Sequence, residues 1–105
     1  MNTVKKFRIP IFNYGMIVRI FDDNSDVQDL PDFKNVLGRT IEYDDYCIVV
    51  IKRGSFDTIV HESIHVKNLI WGYIGYTPQR DNDEVDAYLV TYIYGKILKA
   101  HNAHN

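Results

Sequence analysis

The stretch Tyr46-Cys47-Ile48-Val49-Val50-Ile51-Lys52-Arg53-Gly54-Ser55-Phe56-Asp57-Thr58-Ile59-Val60-His61-Glu62-Ser63-Ile64-His65 decides the fold. Its first six residues are apolar in succession, which predicts a strand over residues 46–52 buried on both faces or nearly so. Arg53-Gly54 breaks that run, Ser55 can cap a helix, and Asp57 suits the positive end of the helix dipole. The spacing that follows predicts a helix over residues 56–71, with Ile59, Val60, Ile64, Leu69 and Ile70 as its apolar residues and Gly72 as its end.

Upstream, residues 40–43 supply a partner strand across the turn Asp44-Asp45. Residues 7–12 and 16–21 are rich in Ile, Val and Phe and flank Asn13-Tyr14-Gly15, so they predict a β-hairpin. Pro10 lacks an N–H, which puts the first of these strands at an edge or a bulge. Residues 22–35 are polar and acidic and read as a loop with at most one helical turn. Their opening Asp22-Asp23-Asn24-Ser25-Asp26 has no Gly at the sixth position and no Glu at the twelfth, so it is a solvated connector rather than a calcium loop. Downstream, residues 73–80 connect to a last helix capped by Asp81, Asn82 or Asp83 and running to about residue 100. Val85, Leu89, Tyr92, Ile93, Lys96 and Ile97 carry its spacing. The expectation is a single α+β domain over residues 1–105, with a small twisted sheet of three or four strands and two main helices.

Composition narrows the function classes. With 105 residues, 46% hydrophobic and 25% charged, the chain has the make-up of one ordinary globular domain. A net charge of -2 and no basic run longer than Lys5-Lys6 argue against a nucleic-acid partner. No apolar stretch is long enough to span a bilayer, and none resembles a signal-peptide core, so a soluble, cytoplasmic protein is expected. The lone Cys47, inside the apolar run, reads as a buried small hydrophobe and fits a reducing compartment.

The chemistry lies in His61-Glu62-Ser63-Ile64-His65. Residues four apart share a helix face, so both imidazoles can meet one zinc ion, with Glu62 beside them as the general base that deprotonates an attacking water. With 4 histidines in the chain and the three glutamates Glu42, Glu62 and Glu84, the pattern arises by accident in about 0.4% of such chains. Its position on a capped helix makes accident rarer still.

A catalytic zinc usually has three protein ligands. A third histidine in the metzincin position is ruled out, because Asn68 stands where that pattern requires Gly and Trp71 where it requires His. A carboxylate from the next helix remains, from Asp83, Glu84 or Asp86. Glu84 is preferred, since it begins that helix and has the longer arm, and Ala87 leaves room for packing; its competing role is to close a capping box with Asp81. For the developing oxyanion, Tyr88 lies one turn from Glu84, with Tyr76 and Tyr92 as alternatives. His101 and His104 are expected in a frayed polar tail.

Thr58-Ile59-Val60-His61-Glu62-Ser63-Ile64-His65, followed by Asn82-Asp83-Glu84-Val85-Asp86-Ala87-Tyr88-Leu89, resembles the gluzincin pattern in its smallest versions, such as the zincin-like peptidases of phages and mobile elements. The resemblance spans about residues 46–95. It implies a minimal zincin-like fold, zinc as the cofactor on His61, His65 and Glu84, Glu62 as base, and a peptide or protein substrate. It departs where larger gluzincins carry an Asp four residues after the ligand Glu, since Tyr88 stands there. The expected reaction is peptide-bond hydrolysis. An extended substrate would pair with a strand among residues 40–52, and residues 71–80 would form the other wall, with Tyr73 and Tyr76 setting preference. The rival expectations are a structural zinc module and a zinc hydrolase with a non-peptide substrate.

Overall fold

The computed structural model describes residues 2–30 and 36–103. In chain order it contains β1 (Thr3–Ile9), β2 (Tyr14–Phe21), a short 3-10 turn (Asn24–Val27), β3 (Gly38–Glu42), β4 (Tyr46–Lys52), α1 (Phe56–Ile74) and α2 (Glu84–His101). This is the expected α+β class, with four strands and two helices.

The sheet order is β1-β2-β4-β3, so β4 is central and β3 and β1 are its edges. β4 pairs parallel to β2 and antiparallel to β3. Alternation along β4 divides its side chains between two layers. Cys47, Val49 and Ile51 join the main core beneath the helices, while Val50 packs with Phe21 and Val27 on the opposite face. Each such buried aliphatic side chain contributes roughly 1.5–3 kcal/mol, which explains why this strand is apolar in both parities.

The hairpin forms, but its register differs from the expected one. Pro10 gives the ladder no N–H, so β1 ends at Ile9, and Asn13 adopts a left-handed φ of 51° to return the chain. Tyr14, expected in the turn, instead begins β2 and is buried, whereas Ile11 at the turn is 87% exposed. In the acidic connector, Asp26 Oδ2 accepts from the backbone N–H groups of Asp22 and Asp23, and Asp29 pairs with Arg19. The expected connector over residues 31–35 lies outside the described residues.

α1 runs one turn beyond its expected end. Gly72 stays helical, and Gly75, at φ 73°, closes the helix as Gly75 N–H donates to Gly72 O and Tyr76 N–H to Trp71 O. Its core face is Ile59, Ser63, Val66 and Ile70, while Val60 and Ile64 are exposed. Ser63 is tolerated there because its hydroxyl donates to Ile59 O at 2.6 Å. α2 buries Leu89, Ile93, Ile97 and Ala100, with Lys96 over the rings of Phe7 and Tyr92.

His101 is not in a frayed tail. It is buried on the last turn of α2, and its Nε2 accepts the Gly54 N–H at 2.8 Å. Arg53 ties the same corner together, donating to Asp22 Oδ1, His101 O and Thr3 Oγ1. His104 lies outside the described residues. Among the described residues, no helix is long and apolar enough to cross a membrane.

Cys47 is buried as expected, and burial pushes its thiol up to about 12, against a hydrogen bond from the Tyr14 hydroxyl that acts in the other direction. Burial likewise raises Tyr14. Because an unfolded thiol titrates near 8.5, the folded state holds its proton while the unfolded state loses it. Stability from this group is complete below about pH 8.5 and is lost as pH rises toward 12. Urea unfolding from pH 7 to 11 should show this alkaline decline, and Cys47→Ala should make it shallower.

Gly38 sets how closely α1 approaches β3. A Cβ there would collide with Thr58 Cγ2 and stand 3.0 Å from the Val50 carbonyl oxygen, whereas one on Gly95 meets nothing within 4 Å. Gly38→Ala should therefore cost about 1–3 kcal/mol in urea unfolding, while Gly95→Ala, on an exposed helix face, should gain about 0.5–1 kcal/mol.

Candidate metal centre

α1 carries His61, Glu62 and His65 along the flank nearest β3. His61 and His65 are exposed, and Glu62, one residue round the helix toward the sheet, is buried at 4% exposure. The two Nε2 atoms stand 3.1 Å apart with the rings nearly perpendicular at 75°. Glu62 Oε2 lies 3.9 Å from His61 Nε2. Among the described residues these three form the one group of its kind, with ligand atoms all within 4.8 Å of one another.

The donor set fits zinc. Two ligand nitrogens at the usual zinc distance and a tetrahedral angle are about 3.3 Å apart, close to the spacing of the two imidazoles. Without a metal, one ring nitrogen must donate to the other, so only complementary tautomers allow this approach.

Glu62 is held by a residue that sequence reasoning missed. Thr40 Oγ1, on β3, donates to Glu62 Oε1 at 2.7 Å. Thr40 is paired with Val49 and faces the helices from the edge strand. No local spacing signals this contact, because it joins residues 22 apart through the placement of β3 beside α1.

The three residues open onto a cleft of about 460 Å³ that Gly38, Arg39, Thr40, Glu42, Asn68 and Leu69 complete. Its walls are β3 and α1. The wall expected from residues 71–80 is not there: Trp71 packs on Phe12 and Tyr76, and Tyr73 on Tyr14.

Nor does the structure bring the residues of α2 to the histidines. α2 packs against the flank of α1 marked by Val60, Ser63, Lys67 and Trp71. At roughly 100° per residue, His61 and His65 lie about 100° and 140° round the axis from Val60. Glu84 is exposed at the start of α2, outside both the three-residue group and the cleft lining. Asp83 is its exposed N-cap, and Asp86 is engaged by Trp71 Nε1 at 2.6 Å and Lys67 Nζ at 3.2 Å. Tyr88 and Tyr92 line a separate apolar groove with Ile11, Phe12 and Trp71.

No family model, no curated protein and no solved structure matches this chain.

The Thr40 contact is testable apart from any activity. A hydrogen bond to a buried carboxylate contributes about 1.5–3 kcal/mol, so Thr40→Val should lower stability by that amount in urea unfolding, and Thr40→Ser should retain most of it. Equal stability of the valine variant and the parent would mean that the bond contributes nothing.

Proposed function

We propose that this chain is a zinc-dependent hydrolase that cuts peptide bonds, with zinc held by His61 and His65 and Glu62 as general base. The observation that carries this reading is the pair of Nε2 atoms 3.1 Å apart beside a buried carboxylate, at the mouth of a cleft walled by an edge strand. Zinc, when bound, supplies a Lewis acid that acidifies water and polarises a carbonyl.

The residues then divide the work. Thr40 holds Oε1 of Glu62, which leaves Oε2 on the histidine side to accept the proton of the attacking water. Among the described residues β3 has a ladder partner on one side only, so its outer edge can accept the backbone of an extended peptide, with main-chain bonds to orient the scissile carbonyl over the histidines. Asn68, which lines the cleft from α1, is the donor we assign to a developing oxyanion, in place of the expected Tyr88. The openness of the histidines, with the His61 side chain 68% exposed, favours this reading over a closed structural zinc site.

Elemental analysis of untagged protein should find one zinc per chain, lost in a His61→Ala, His65→Ala double variant. Glu62→Gln should keep the zinc and reduce turnover of a fluorogenic peptide library by about 10²–10⁴-fold. Unchanged zinc content in the double variant, or full activity of Glu62→Gln, would overturn the assignment.

A further inference from the structure

We infer that Glu42, the last residue of the edge strand β3, is the third protein ligand of the metal centre, so that the zinc set is His61, His65 and Glu42. The inference rests on the zinc reading above, and it replaces the carboxylate that the sequence suggested from α2.

Two contacts fix how β3 lies along α1. Gly38 is level with Thr58, where an added Cβ would collide, and Thr40 is level with Glu62, to which it is hydrogen-bonded. Two residues of strand advance about 6.6–6.8 Å and four residues of helix about 6 Å, so the two elements keep step. The next pair in this series sets Glu42 beside Val66, one residue from His65.

The side on which Glu42 emerges is fixed as well. It pairs with Cys47 across the ladder, and Cys47 belongs to the core on the helix face of the sheet. Directly opposed residues share a face, so the Glu42 carboxylate leaves the sheet toward α1. It lines the same cleft as both histidines, is exposed, and has no hydrogen bond or ion pair among the described residues. It stands outside the 4.8 Å group, and rotation of its own side chain moves it without disturbing the core.

The chemistry favours the same residue. Two neutral imidazoles and one carboxylate make a common catalytic zinc set that leaves a position open. With Glu42 as ligand, Glu62 stays unligated and keeps its role as base. Asp86, by contrast, is already neutralised by Lys67, and Glu84 lies with the helix that packs on the other flank.

The test is zinc affinity, measured by competition with a chromophoric chelator on the full chain. Glu42→Ala and Glu42→Gln should each weaken zinc binding by at least about 100-fold and alter the visible spectrum of the cobalt(II)-substituted protein. Glu84→Ala should leave both unchanged. Circular dichroism of the Glu42 variants should match the parent, since the residue is exposed at a strand end. Parent-like affinity and spectrum in the Glu42 variants, with zinc still dependent on His61 and His65, would overturn this inference and leave the zinc reading standing. If Glu84→Ala alone lost the metal, the ligand would come from α2. A parent chain that takes up no zinc would overturn both.

Discussion

β4 is hydrogen-bonded on both sides, to β2 and to β3, and buries side chains into both layers of the molecule. A strand so placed cannot shift by one residue without exchanging its two apolar sets, so its register is strongly specified. From the end of β4 the chain passes through Arg53 and Gly54 straight into α1, and the hairpin before it leaves β3 on the sheet margin. The neighbourhood of β3 and α1, and with it the cleft, follows from that one strand.

Within this frame the site has an internal tension. A carboxylate is buried against a sheet edge, where a polar group is costly unless it is hydrogen-bonded. Thr40 offsets part of that cost with one strong hydrogen bond, and the nearby histidines offer a second polar surface. Two imidazole nitrogens at 3.1 Å satisfy each other only in complementary tautomers. That constraint on the pair is why the spacing carries more information than the residue types alone.

Much of the fold was legible because it depends on local chemistry. The six-residue apolar run announced a strand buried on both faces, the last helix was expected to open at Asp81, Asn82 or Asp83 and opens after Asp83, and Pro10 called for an edge or a bulge, of which β1 is the edge. The errors also have local causes. A glycine at residue 72 was read as a stop, yet of the two glycines near that end it is Gly75 that adopts the left-handed conformation a cap requires. The histidine pair and Glu62 were visible as a helical spacing. Their surroundings were not, because no spacing reveals which flank of α1 the second helix covers. Glu84 and Tyr88 were chosen as though α2 covered the histidine flank, and it covers the opposite one. Thr40 and Glu42 come from upstream, on a strand whose proximity to α1 exists only after β4 has been inserted beside β2.

The corner around Arg53 bears on how the chain reaches this state. One guanidinium gathers Thr3, Asp22 and His101, residues drawn from nearly the whole length of the domain. Links across 48 and 50 residues are slow to form, since the loop they close must be ordered before the bond contributes. During synthesis the sheet and α1 can assemble early, but this corner waits until His101 has emerged. Until then the Gly54 N–H lacks its imidazole acceptor, and the apolar side chains that α2 later covers face water. Without α2 the core is therefore incomplete, and the corner at Arg53 and Gly54 closes only when that last helix packs.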